Sequence, residues 1–197
     1  MVYYKIVLGI VALVIALVSY IPYFRDLFAG RTKPHAFSWL VWTVIPSIAF
    51  GVQVAEKGGP GTWATGVIAL ICFIVFLLAL FKGKRHFHHT DWICLIVALI
   101  ALALWQLAEN PAAAVVLIIL ADAIGYMPTF RKGYLHPFED TPITYGLNGL
   151  SFFISIFALE NLAITTWLYP ASLVVTNSAF TIMMYVRRWQ VRKHHGK

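Results

Sequence analysis

The sequence predicts an all-α membrane protein with seven transmembrane helices. Of its 197 residues, 60% are hydrophobic and only 12% are charged, whereas a soluble domain carries roughly a quarter of charged residues. One soluble core of this length cannot bury so much apolar surface. The composition therefore excludes a soluble enzyme, a disordered chain, a disulfide scaffold and a nucleic-acid binder, in spite of a formal net charge of +7.

Seven apolar runs follow one another along the chain, and each can form a helix that crosses a bilayer, which takes about 20 residues. The first run lacks a basic leader and a small-residue cleavage site, so we expect a retained helix. The fourth and fifth runs are divided only by Glu109, Asn110 and Pro111. Pro111 suits the first turn of a new helix because a missing N–H costs nothing there. The predicted spans are residues 4–24, 36–55, 62–81, 92–108, 111–127, 143–159 and 164–186.

Basic side chains are divided unequally between the two sides of this arrangement. Of the 15 Lys and Arg residues, 13 fall on one side, and only Lys5 and Lys57 fall on the other. Because basic loops remain in the cytoplasm, we expect a multi-pass protein of the plasma (inner) membrane. Its N-terminus lies outside and its C-terminus in the cytoplasm.

The first three spans resemble the last three. One constant offset relates Tyr20, Pro22, Phe24 and Arg25 to Tyr126, Pro128, Phe130 and Arg131. A second constant offset relates Ser47, Glu56, Thr62, Trp63 and Phe76 to Ser151, Glu160, Thr166, Trp167 and Phe180. We therefore expect two parallel three-helix repeats joined by a linker helix, a 3+1+3 plan. Residues 1–85 form the first repeat, 86–110 the linker, and 111–197 the second repeat with a short basic tail. Parallel repeats are typical of transporters whose site lies at the repeat interface.

The segment SYIPYFRDLFAGRTKPHAFSW, with its echo GYMPTFRKGY, resembles the first-helix end and loop of the SWEET sugar transporters and the wider PQ-loop superfamily. In that superfamily a proline closes the first helix of each triple. Pro22 and Pro128 hold that place, and Tyr23 and Thr129 stand where the family has glutamine. The bacterial nicotinamide riboside transporters share the 3+1+3 plan. The resemblance implies alternating-access transport of a small polar solute, sugar- or vitamin-like. We expect no cofactor.

The same resemblance implies an asparagine that contacts the solute in the third helix of each triple. Asn177 is similar to that residue in the second half, and its mate in the first half aligns to Phe73. Asn148, in the first turns of the sixth span, is a further candidate. The alternative role for Asn177 is a hydrogen bond between helices, which is common for Asn in membranes.

Asp122 is the one acid well inside a predicted span. It lies six residues before Pro128, about 9 Å along a helix. Ionisable groups in a bilayer are costly and usually face a bundle interior or a cavity. We therefore predict a cavity between the repeats with Asp122 and Asn177 on its wall. Asp122 either couples a proton or contacts the solute, or it is a structural acid bonded to a neighbouring Tyr, Ser or Asn.

Aromatic and proline residues supply further candidates. Trp42 lies one turn deeper than Trp39 and is placed to stack on a flat solute. We expect Trp39, Trp63, Trp92, Trp167 and Trp189 in the interfacial belt, where Trp is enriched. Pro22 and Pro128 are either symmetric hinges at the cytoplasmic end or simple helix terminators.

The main alternative function is a seven-helix receptor or sensor without retinal. A retinal pigment needs a lysine within a span for its Schiff base, and the lysines here fall at interfaces and tails. We expect no enzyme, because no HExxH motif, Ser/His pair or cluster of acids lies at membrane depth. His86, His88 and His89 complete no metal site. The expected partners are a small solute and the lipid bilayer, and a homo-oligomer is compatible with the sequence.

Overall fold

The computed structural model describes residues 2–82, 89–107 and 110–195, and this part of the chain forms seven α-helices. The all-α class and the number of helices follow the prediction. A short 3-10 helix over Gly59–Thr62 precedes the third helix. The helices are α1 (Val2–Phe28), α2 (Ala36–Ala55), α3 (Trp63–Lys82), α4 (His89–Gln106), α5 (Pro111–Leu135), α6 (Pro142–Ala158) and α7 (Ile164–His195).

Four segments of the described chain are long and apolar enough to cross a membrane: Tyr3–Phe28, Ala36–Ala55, Gly59–Lys82 and Ala112–Leu135. The apolar segments in α4 and α6 are shorter. α7 is long, but Asn177 and several hydroxyl side chains lower its hydropathy. Large apolar side chains such as Leu70 and Val175 are exposed on the outer faces. Because soluble proteins rarely expose so much apolar surface to water, the fold indicates a membrane protein.

The boundary between α4 and α5 lies where the sequence predicts it. Asn110 caps α5, because its Oδ1 accepts hydrogen bonds from the backbone N–H groups of Ala112 at 2.8 Å and Ala113 at 3.3 Å. Pro111 occupies the first turn of the helix. This pairing of cap and proline satisfies backbone donors that a helix start otherwise leaves free.

Two helices continue through the prolines that were expected to end or bend them. Pro22 lies inside α1, which runs on to Phe28, and Pro128 lies inside α5, which runs on to Leu135. Helix termination at these two positions is therefore wrong. A proline inside a helix removes one backbone hydrogen bond but leaves the remaining turns intact. Both positions stay available for bending.

The packing order is the same in the two halves of the chain. α1 packs against α3, which packs against α2; α5 packs against α7, which packs against α6. The halves meet where α1 contacts α6 and where α2 contacts α5. α4 lies to one side and packs mainly against α5. Six helices therefore surround a common centre, and α4 stands outside it.

Small side chains bring α1 and α6 close together. Ala12, Ala16 and Ser19 are fully buried on α1. Ser151 Oγ donates to the carbonyl oxygen of Ala12 at 2.7 Å, and Thr144 Oγ1 donates to that of Ser19 at 2.8 Å. Small residues and hydroxyl-to-backbone bonds are the means by which helices associate in lipid, where no hydrophobic force drives them together.

Candidate functional site

A cavity lies at the centre of the bundle, where the six helices other than α4 meet. All of its described wall residues are buried. They are Tyr20 from α1; Trp39, Trp42 and Pro46 from α2; Ile68 and Cys72 from α3; Asp122 and Tyr126 from α5; Thr144, Tyr145, Asn148 and Phe152 from α6; and Tyr169, Leu173 and Asn177 from α7.

The cavity is small. It leaves about 30 Å³ of space for the centres of water-sized molecules. One water needs about 10–15 Å³ by this measure, so the space accepts two or three waters or a chemical group of that size. A larger molecule therefore fits only if the helices separate.

The structure brings four of the five predicted site residues together on this wall: Asn177, Asp122, Asn148 and Trp42. Phe73 is not among them. Its side chain is 45% exposed on the outer face of α3, and the preceding residue, Cys72, lines the cavity instead. One residue corresponds to about 100° of rotation around a helix, so the alignment that selected Phe73 was wrong by one position.

Asp122 is the ionisable carboxyl group of the described cavity wall. It is 2% exposed, and its Oδ1 has no hydrogen-bond partner among the described residues. The indole Nε1 of Trp42 and the hydroxyl of Tyr169 also lack partners within the described chain. Because each such atom costs about 1–3 kcal/mol, three of them on one small wall indicate a place for a ligand or for water.

The two asparagines are already oriented by the protein. Asn148 Oδ1 accepts a hydrogen bond from Ser19 Oγ at 2.8 Å, across the junction of α1 and α6. Asn177 Nδ2 donates to the carbonyl oxygen of Leu173 at 2.8 Å, one turn earlier in α7. These bonds fix the rotation of both amides, so that each presents a defined edge toward the cavity.

Aromatic rings form much of the wall, and sequence reasoning missed most of them. The ring centroids of Trp42 and Tyr126 are 4.3 Å apart, and those of Trp39 and Trp42 are 5.2 Å apart. Trp39 is buried, so its assignment to the interfacial belt is wrong. The available signal was the matched pair Tyr20 and Tyr126 in the two repeats. The other four Trp residues assigned to the belt, Trp63, Trp92, Trp167 and Trp189, are exposed.

A hydrogen-bonded layer closes the bundle at the end that carries most of the basic residues. Thr32 Oγ1 lies 2.6 Å from Thr141 Oγ1, and Lys33 Nζ donates to Glu139 Oε1 at 2.7 Å. Thr141 Oγ1 also lies 3.0 Å from Asp26 Oδ2. We call these five residues the basic-end layer. It joins the α1–α2 loop to the α5–α6 loop and thus ties the two halves together.

A buried ion pair adjoins the basic-end layer. Lys132 Nζ lies 2.6 Å from Asp140 Oδ2, and both side chains are buried. Lys132 Nζ also donates to the carbonyl oxygen of Lys33 at 2.7 Å. Tyr145 donates to Asp140 Oδ1 at 3.4 Å. Because the ring of Tyr145 lines the cavity, this residue connects the cavity to the closed end.

The opposite end is closed by close backbone contact. A Cβ atom at Gly61 would lie 2.6 Å from the backbone N of Leu159 and 2.6 Å from the carbonyl oxygen of Ser155. Only glycine permits this approach. Gln53 Nε2 donates to the carbonyl oxygen of Thr166 at 2.9 Å, which again joins the two halves.

A second buried acid fastens α4 to the bundle. Arg131 Nη2 lies 2.6 Å from Asp91 Oδ1, and His35 Nε2 lies 3.3 Å from Asp91 Oδ2. Burial lowers the pKa of His35 below its ordinary value, and the nearby cations Lys132 and Arg131 act in the same direction against the opposing effect of Asp91. His35 is therefore neutral at pH 7.

Within the described residues, no group of three or more His, Cys, Asp and Glu is arranged to hold a metal ion. His89 begins α4. Lys84, Arg85, His86, His88 and Lys197, which the sequence places on the basic side, lie outside the described residues. In comparisons with protein-family models, curated proteins and solved structures, nothing matches the chain.

Proposed function

We propose that this protein is a transporter or facilitator that carries a small polar solute, sugar- or vitamin-like, across the plasma (inner) membrane. It works by alternating access at the interface of two parallel three-helix repeats, in the manner of the SWEET and PQ-loop proteins. The observation that carries the proposal is the cavity between the halves, whose wall presents unpartnered polar atoms of Asp122, Trp42 and Tyr169.

Two hydrogen bonds that recur at one offset support the parallel repeats. Ser38 Oγ donates to the carbonyl oxygen of Gly125, and Thr144 Oγ1 donates to that of Ser19, both at 2.8 Å. Donors and acceptors are each related by 106 residues. The same offset relates the Tyr-x-Pro-x-Phe-Arg motifs of α1 and α5. Equivalent bonds on both sides of the centre are what a pseudo-two-fold axis along the membrane normal produces.

The cavity wall follows the same relation. Trp39, Trp42 and Pro46 of α2 lie 106 residues before Tyr145, Asn148 and Phe152 of α6, and all six line the cavity. The match of Ser47 to Ser151 in the sequence implies an offset of 104. The cavity wall therefore favours an alignment of α2 with α6 that is shifted by two residues from the alignment based on Ser47 and Ser151.

The two closures support alternating access. The basic-end layer and the contact of Gly61 with α6 each join one half of the chain to the other, at opposite ends of the cavity. If either closure opens while the other holds, the cavity is exposed to one side only. That is the requirement for carrying a solute without opening a continuous pore.

Cys72 offers a native reporter for this mechanism, because its side chain is buried on the cavity wall. In a Cys94→Ser background, a membrane-impermeant methanethiosulfonate reagent is applied to right-side-out vesicles and to inverted vesicles. We expect Cys72 to react from both sides. The protein that carries both Cys94→Ser and Cys72→Ala is the control for labelling that does not involve Cys72. Solute flux into proteoliposomes completes the test.

The same experiment distinguishes a transporter from a receptor or sensor. A receptor or sensor needs access to its ligand from one side, so reaction of Cys72 from one side alone would favour it over a transporter. Absence of reaction from either side would mean that the cavity stays closed and serves only the packing of the bundle.

A further inference from the structure

The cavity wall carries a carboxyl group that no cation of the described chain pairs. Asp122 is the only formally charged side chain among the described wall residues. The other deeply buried acids of the described chain are paired: Asp91 lies 2.6 Å from Arg131, and Asp140 lies 2.6 Å from Lys132. Since a buried carboxylate without a partner is costly, the group that would stabilise the ionised form of Asp122 is a positive charge.

The rest of the wall is suited to a positive charge on an organic ammonium group. The faces of Trp and Tyr rings attract ammonium groups, and the wall contains the rings of Tyr20, Trp39, Trp42, Tyr126 and Tyr169 beside Asp122. A hard metal cation requires six or more oxygen ligands. Here the Oδ1 of Asn148 is already engaged by Ser19, and aromatic rings form much of the wall.

The size of the cavity also favours an ammonium head over a sugar ring. Among the fully buried atoms of the described wall, those without a partner lie on Asp122, Trp42 and Tyr169. The space of about 30 Å³ matches an ammonium head with one methyl group more closely than a sugar ring.

We propose that the cavity binds a protonated amine, with Asp122 as its counter-ion and the rings of Trp42 and Tyr126 as its aromatic contacts. The inference rests on the proposed function and narrows its solute to organic cations. The ammonium head occupies the present cavity, and any larger part of the solute is accommodated when the halves separate.

Methylammonium is the probe, because it has the size of the cavity. The melting temperature of the purified full-length protein is measured against methylammonium chloride up to about 300 mM, since millimolar affinity is the tightest expected for two non-hydrogen atoms. Potassium chloride at equal ionic strength is the control for positive charge alone. Methanol at equal concentration is the control for a neutral molecule of similar shape. We expect a rise of about 5 °C with methylammonium alone.

Matched variants locate the effect. Asp122→Asn should abolish the rise, whereas Glu56→Gln, which removes an exposed carboxylate, should retain it. Trp42→Leu should weaken the apparent affinity about tenfold, and it provides a second test if Asp122→Asn does not fold. An equal rise with potassium or methanol, an unchanged rise in Asp122→Asn, or no rise at all would overturn the proposal.

The outcome is independent of the transport test. If methylammonium has no effect but Cys72 reacts from both sides of the membrane, transport stands and the amine is rejected. If methylammonium stabilises the wild type through Asp122 but Cys72 reacts from one side, the amine site stands and alternating access is rejected.

Discussion

At the scale of single residues, Asp122 differs from Asp91 in having no cation in contact with it, and this difference predicts opposite effects of the same substitution. Asp122→Asn keeps the shape of the side chain and removes a buried ionisable group that has no cation beside it in the described chain. We expect the ligand-free variant to melt at the wild-type temperature or about 2–4 °C above it. Asp91→Asn leaves Arg131 and His35 without their acid and should melt lower. A lower melting temperature for Asp122→Asn would show that a partner stabilises its carboxylate.

His35 provides a pH-dependent contribution to stability. Its folded-state pKa is lowered by burial, so the unfolded chain binds the proton more readily. Stability is therefore fully present above the unfolded value of about 6.5 and is lost as pH falls through and below it. We expect the melting temperature to decline between pH 7.5 and pH 5.5, and His35→Phe to flatten this part of the profile. Replacement of the exposed His136 by Gln should leave the decline unchanged; an equal decline in His35→Phe would assign it to another group.

At the scale of helices, Pro22 and Pro128 interrupt the backbone bonding of α1 and α5 without ending either helix. We propose that they are the hinges at which the basic end opens. Alanine restores the backbone donor and favours a straight, rigid helix. Pro22→Ala and Pro128→Ala should therefore each slow the reaction of Cys72 from the basic side without lowering the melting temperature. Pro170→Ala in α7 is the matched control, and an equal slowing there would remove the special role of the two sites.

The loops at the basic end are held by the pair of Lys33 and Glu139, whose charges are partly exposed. Pairs of this kind contribute about 0.2–1 kcal/mol. Lys33→Glu replaces the attraction by repulsion and should favour the open layer, so that Cys72 reacts about fivefold faster from the basic side. The double variant Lys33→Glu, Glu139→Lys restores opposite charges and should return the rate to that of the wild type. If the double variant stays fast, the layer is not the closure that limits access.

At the scale of the whole molecule, the unequal charge of the two ends predicts the orientation in the membrane. The structure gathers Arg25, Arg31, Lys33, Lys132 and Arg188 into hydrogen bonds at one end. Basic ends stay in the cytoplasm, so we expect reporters fused in the loop at Lys57 and at the C-terminus to report opposite sides, with the C-terminus inside. Reports of the same side from both fusions would mean that the number of crossings between them is even.

The sequence by itself determined what depends on local composition. Whether a segment enters lipid is set by its own hydropathy, so the helical class, the start of α2 at Ala36 and the start of α5 at Pro111 follow from the printed residues. The placement of Asp122 and Asn177 in the interior follows as well, because polar side chains avoid lipid.

Only the tertiary structure decided which face of each helix is directed towards the interior of the bundle. Rotation by one residue turns a side chain through about 100°, and hydropathy barely changes when every face is apolar. Packing against the neighbouring helices therefore placed Cys72 rather than Phe73 on the wall and buried Trp39. The basic-end layer likewise joins residues more than 100 positions apart, such as Lys33 and Glu139. No local pattern encodes such a contact, because it exists only once the two halves of the chain have packed together.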